Sequence, residues 1–210
     1  MYIKKLTELA INGDVDVQYS LGCFYHDGKG VIQDYQEALE WYIKAANKGY
    51  ADAQYALGVM YFNGKGTHQN YQEAHEWYTK AAKKNHVLAQ FNLALMHYSG
   101  EGIPQNYQEA HEWYTKAANQ GNVKAQYNLG IMYMFGQGVV QDYQQAFKWL
   151  QKAAKQDFVK AQYNLALMYY YGKGVKKDID KALLIANSIT LRKQQGRILK
   201  YKLLKILQEN

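Results

Sequence analysis

A single cysteine and a single proline stand among the 210 residues of this chain. The lone thiol, Cys23, has no intrachain partner, so no disulfide framework holds the fold and nothing points to an oxidising compartment. The one proline leaves turns to glycine, of which there are 17. No run of about 18 apolar residues occurs, which excludes a membrane-spanning helix. The N-terminus, MYIKKLTELAINGD, has two lysines but neither the apolar centre nor the small-residue cleavage site of a secretory signal. A cytoplasmic location is expected; a periplasmic or secreted one is open to a chain whose signal has been removed.

What the chain has in abundance is repetition. An Ala-Gln-aromatic triplet opens at Ala53, Ala89, Ala125 and Ala161, with a degenerate copy at Val17, always 36 residues apart. A fixed period of that length marks a solenoid, in which each unit buries its apolar face against its neighbours. Twenty-one tyrosines recur in register, so many of their rings belong to the repeat core.

Each repeat contains two segments with helical periodicity. Ala53, Leu57, Met60 and Tyr61 fall on one face of a helix that ends at Gly64-Lys65-Gly66. Asn70 is a good N-cap for a second helix, which presents Tyr71, Ala74, Trp77, Tyr78 and Ala81. The expectation is an all-α protein of helical hairpins. A capping half-repeat occupies 1–16, and repeats follow over 17–52, 53–88, 89–124, 125–160 and 161–196. The last repeat drifts from the pattern, and a divergent capping helix spans 197–210.

The elements A-x-x-x-L-G-x-M-Y, then G-x-G-V-x-x-D/N-Y, then E/Q-A-x-x-W-x-x-K-A-A are best seen from Ala125 to Ala154. They resemble the Sel-one-like repeat, a relative of the tetratricopeptide repeat, over about residues 5 to 190. The resemblance implies a right-handed α-solenoid superhelix and a non-catalytic scaffold or adaptor for a protein or peptide partner, without cofactor or metal. Some secreted bacterial members carry a cysteine pair in each repeat, which this chain lacks. A monomer is expected.

In such superhelices the first helix of each hairpin lines the concave face, and five columns of residues are candidates for that face. They are Asp16/Asp52/Leu88/Lys124/Lys160, Tyr19/Tyr55/Phe91/Tyr127/Tyr163, Ser20/Ala56/Asn92/Asn128/Asn164, Cys23/Val59/Leu95/Ile131/Leu167 and His26/Phe62/Tyr98/Met134/Tyr170. Asparagine amides pair with an extended backbone, and aromatic rings grip apolar side chains. Lys124 and Lys160 beside Asn128 and Asn164 resemble the clamp by which tetratricopeptide domains hold a carboxylate. The candidate contacts are Tyr55, Phe91, Asn92, Lys124, Tyr127, Asn128, Lys160, Asn164 and Tyr170. The competing reading makes the aromatics structural and the asparagines merely solvated.

Other motifs lead away from catalysis. The five Gly-x-Gly elements follow a helix and repeat, so they are turns rather than phosphate loops. His75-Glu76 and His111-Glu112 lack the second histidine of a zinc helix, since Thr79 and Thr115 stand four residues on, and both are expected on the outer face of helix two. Cys23, three residues before His26, falls in a column of packed hydrophobes. Charge is uneven: residues 1–120 sum to −3 and residues 121–210 to +10. The basic run Lys176, Lys177, Lys181, Arg192, Lys193, Arg197, Lys200, Lys202, Lys205 suits an anionic partner or nucleic acid, but only Tyr201 interleaves it as a stacking ring, so nucleic acid is not expected. An immunity protein that neutralises a toxin or secreted enzyme is the alternative to a general adaptor.

Overall fold

In the computed structural model the described residues are 2–189, 201 and 203–206. They are helical without a strand. The helices are α1 (Tyr2–Ile11), α2 (Val15–Asp27), α3 (Tyr35–Asn47), α4 (Ala51–Asn63), α5 (Tyr71–Lys83), α6 (Val87–Ser99), α7 (Tyr107–Asn119), α8 (Val123–Phe135), α9 (Tyr143–Lys155), α10 (Val159–Tyr171) and α11 (Ile179–Ser188). The chain forms two units, residues 1–105 with α1 to α6 and residues 106–210 with α7 to α11. Most of the expected C-terminal helix lies outside the described residues; of it, Leu203 is buried against Ala182, Ala186 and Ile189.

Local chemistry starts and stops each helix. The first helices α2, α4, α6, α8 and α10 each end in a glycine in the left-handed region. The N–H of that glycine bonds back to a carbonyl four residues earlier, which satisfies one orphan acceptor of the last turn. The second helices α3, α5, α7 and α9 start at Asp34, Asn70, Asn106 and Asp142, whose side chains each accept two backbone N–H bonds. Between them Gln33, Gln69, Gln105 and Gln141 each donate across the turn to the carbonyl seven residues back.

The two glycines of each turn have different duties. Gly64 closes α4. Gly66, with φ 69°, lies against the start of the previous hairpin's second helix, where a Cβ would collide with the Tyr35 carbonyl. Gly138 and Gly174 stand in the same way against Tyr107 and Tyr143. Gly30 has the same backbone conformation in the first hairpin and meets nothing. The Gly-x-Gly turn is therefore a contact between hairpins as well as a stop signal.

Stacking relies on small residues and one buried amide. Ala45, Ala46, Ala81, Ala82, Ala117 and Ala118 at the ends of second helices are at most 2% exposed, which lets the following first helix approach closely. Gln18, Gln54, Gln90, Gln126 and Gln162 are buried in that contact. Each donates its Nε2 to the carbonyl eight residues back: Ala10, Ala46, Ala82, Ala118 and Ala154, at 2.8 to 3.4 Å. Lys44, Lys80, Lys116 and Lys152 lie 3.7 to 4.0 Å over the rings of Trp41, Trp77, Trp113 and Trp149, a cation–π pair repeated in the first four hairpins.

Three substitutions test the packing by urea unfolding. Gly30→Ala carries only the left-handed backbone strain of about 1–2 kcal/mol, and Gly66→Ala is expected to lose measurably more because of the Tyr35 contact. Gln54→Leu keeps volume but removes the bond to Ala46, for an expected loss of about 1–3 kcal/mol. Equal midpoints for the two alanine variants would refute the hairpin-contact role of Gly66.

Candidate functional site

The first helices divide their residues between neighbours and surface with a strict register. Ala53, Leu57 and Met60 are buried in the stack, as their periodicity predicts, and the same holds for Ala125, Leu129 and Met132. The residues between them supply the candidate face. In the first column Asp16, Asp52, Leu88, Lys124 and Lys160 are all exposed. In the third, Asn92, Asn128 and Asn164 are half-buried.

The aromatic column is largely engaged in packing. Tyr19 sits 5.7 Å from Tyr42 and 5.1 Å from Tyr50, ring centre to ring centre. Tyr55 lies 5.9 Å from Tyr78 and stacks on His86 at 4.6 Å. Tyr127 lies 5.2 Å from Phe158. Each of these rings is thus held against the residue that opens the next hairpin, and Phe91 and Tyr163 are half-buried in the same register. These rings are half-buried. Tyr170 is a correction: it is 7% exposed, lies edge-on to Tyr171 at 4.9 Å and packs with Ala182 and Ala186, so its ring is core.

In residues 1–105 the structure gathers four of the five columns into one groove of about 260 Å³. Its walls are Tyr55, Val59, Phe62, Tyr78, Asn92, Leu95 and Met96, with Asn63 and Glu101 at the polar rim. The Asn92 side chain hydrogen-bonds both the Tyr55 and Tyr78 hydroxyls. Burial pushes both phenols up, and the Asn92 amide partly opposes this by donating to their oxygens. Leu95 is 40% exposed, so the groove has an apolar wall in contact with solvent. Glu101 accepts the Tyr71 hydroxyl at 3.0 Å. In residues 106–210 the equivalents Asn128 and Asn164 follow the exposed Lys124 and Lys160 by one helical turn.

Several groups behave differently from their sequence appearance. His75 and His111 are half-buried rather than outward: their Nε2 atoms meet His97 Nε2 at 3.3 Å and the Tyr133 hydroxyl at 3.1 Å. Cys23 accepts the Tyr42 hydroxyl at 3.5 Å. The basic C-terminal surface includes Lys176, Lys177 and Lys181, but Asp178 and Asp180 line the same hollow of about 800 Å³, and Lys181 pairs with Asp178 at 3.2 Å. Arg192, Lys193, Arg197, Lys200 and Lys202 lie outside the described residues. The buried glutamines are the residues that reading the sequence overlooked, although their place in every Ala-Gln-aromatic triplet was a visible signal. Among the described residues no helix is long and apolar enough to cross a membrane.

Paired 13-residue helices, stacked through a buried amide and a Gly-x-Gly turn, define a helical-hairpin repeat protein. The chain belongs to the Sel1 repeat family, whose model matches residues 15–50, 51–86, 87–122, 123–158 and 159–184. Members of this family are generally protein-interaction scaffolds and generally non-catalytic. Among solved structures, a protective antigen of uropathogenic Escherichia coli displaying an SLR fold is 31% identical with a TM-score of 0.86, over 97% of this chain and 48% of that one. This chain thus spans about half the length of that antigen. A Sel1 repeat protein from Oxalobacter formigenes is 29% identical with a TM-score of 0.85, over 99% and 92% of the two chains. A Klebsiella pneumoniae protein at 23% identity and a TM-score of 0.56 supports the fold alone. No curated protein matches.

His86 yields a pH prediction. Its Nδ1 caps α6 by accepting from Ala89 N at 3.1 Å, and its Nε2 lies 3.1 Å from Asp52. Burial outweighs the attraction of Asp52 and holds the imidazole below its ordinary pKa; burial acts on His111 in the same direction. A group depressed in the folded state leaves the unfolded chain binding more protons. Stability is therefore full above about pH 6.5 and declines as pH falls from there towards the folded-state value. His86→Asn keeps a cap of the kind Asn122 provides for α8, and is expected to flatten part of the decline in urea midpoint between pH 7.5 and 5. An unchanged slope would show that His86 does not carry it.

Proposed function

We propose that this chain is a non-catalytic interaction module that takes a peptide segment or loop of a partner protein onto the face formed by its first helices. The groove of Tyr55, Val59, Phe62, Asn92 and Leu95 carries the reading. It combines an apolar wall for a side chain with a fixed carboxamide and a carboxylate at the rim, the mixture by which grooves orient a peptide. Its occupant presents an apolar side chain, with a donor or basic group facing Glu101. Lys124, Asn128, Lys160 and Asn164 are proposed as a second contact region, suited to a carboxylate by the charge of the two lysines. Phe91 supports the first region and Tyr127 the second.

Asn92 is a poor probe of binding, because its loss also removes two tyrosine bonds. Leu95 is a better one, since it is 40% exposed and carries none of those bonds, and thermal unfolding checks that its variant keeps the fold. Tagged wild type, Leu95→Glu and the double variant Asn128→Ala/Asn164→Ala are compared by affinity capture from native lysate. The expected result is a partner held by wild type and lost with Leu95→Glu, with weaker retention by the double variant and unchanged thermal unfolding. Equal recovery by all three would remove this face as the binding site.

A further inference from the structure

One register position joins the second helix of each hairpin to the first helix of the next, and its occupants change along the chain. In residues 106–210 it holds His111 with Tyr133, joined by a hydrogen bond, and Phe147 with Tyr169, edge to face at 5.4 Å. In residues 1–105 it holds His75 on α5 and His97 on α6, two imidazoles with Nε2 atoms 3.3 Å apart and ring centres 5.2 Å apart.

We propose that His75 and His97 form a two-imidazole site for a divalent transition-metal ion, Cu²⁺ most tightly, with water completing the coordination. An imidazole nitrogen sits about 2.0–2.1 Å from such an ion, so two lie about 3.3 Å apart in the tetrahedral arrangement of Zn²⁺ and about 2.9 Å apart at the right angle that Cu²⁺ takes. The observed 3.3 Å matches the first value and lies a few tenths of an ångström from the second, and the same contact serves as a hydrogen bond between the two rings. Rigidity also favours an ion here. The two residues are on separate helices, each fixed by its own cap at Asn70 or His86, and both side chains are half-buried. Little side-chain freedom remains to be lost when an ion binds. Imidazole suits copper, nickel and zinc, and affinity for divalent ions peaks at Cu²⁺. No cluster of three or more His, Cys, Asp or Glu suited to a metal occurs among the described residues, so the site has two protein ligands and open positions. It takes exchangeable ions and is not a structural zinc site.

The chain supplies its own control substitutions. His97→Tyr recreates the His111–Tyr133 pair, and His75→Phe with His97→Tyr recreates Phe147–Tyr169. Both replacements already fit this register, and far-ultraviolet circular dichroism checks that they fold. Wild type and both variants are titrated with CuCl₂, NiCl₂ and ZnCl₂ separately at pH 7.5 in a non-coordinating buffer, by calorimetry. Wild type is expected to show one saturable site, tightest for Cu²⁺, that both variants lose, and only wild type melts higher with the ion present. Electron paramagnetic resonance of the Cu²⁺ adduct then shows coupling to two nitrogens. Isotherms unchanged by His97→Tyr, or no saturable binding to wild type, would overturn the site and leave the pair as two imidazoles in contact.

Discussion

The amide of the buried glutamine is the contact on which the rest of the stack depends. At the end of α3 the Ala46 carbonyl accepts the turn N–H of Gly49 and, on its other side, the Gln54 side chain from α4. Helix ends leave carbonyls without intrahelical partners, and a buried one is costly unless something reaches it. Glutamine is long enough to do so from the first turn of the next helix, provided that alanines line the approach. This one requirement sets how close consecutive helices come and makes each hairpin lean on the one before it, the nearest-neighbour logic of a repeat protein. The bond recurs at all five glutamines, so the stack is held by a backbone-directed contact that is indifferent to what the surface carries.

That division explains why the surface is free to vary. Once the stack is fixed by alanine, leucine, methionine and the buried glutamine, the exposed first column can change from Asp16 and Asp52 to Lys124 and Lys160 without disturbing it. The register joining α5 to α6 shows the same tolerance inside the protein: His–His, His–Tyr and Phe–Tyr pairs occupy equivalent places. On the proposed reading, recognition uses what the constant packing leaves uncommitted. The groove at Asn92 is one such place, where Val59, Phe62 and Leu95 meet an amide already oriented by two tyrosine hydroxyls. Preorganisation of that kind lowers the entropy lost on binding.

The columns of the candidate face are legible in the repeat register, and the misses have a common cause. Helical periodicity assigns residues to faces, but a face has an identity only once its neighbour is known. Tyr163 and Tyr170 stand seven residues apart on one helix, yet Tyr163 is half-buried and Tyr170 is core because α11 covers it. His75 reads as an outward residue of a polar helix face, yet α6 brings His97 against it. Gln90 and Asn92 are two similar amides two residues apart. One is sealed against Ala82 and the other lines a groove, a difference set by the roughly 200° of rotation between them on a helix.

By itself the sequence determined the repeat length, the helix pairs, the Asp and Asn caps, the glycine turns and the family, because each depends on local backbone chemistry or on a period. The tertiary structure alone decided which side chains stay accessible: the role of the glutamines, the burial of Tyr170, the tethering of Asn92 and the meeting of His75 with His97. These depend on the distance and angle between helices far apart in the chain, and in a stack that geometry comes from summed contacts rather than from any one motif.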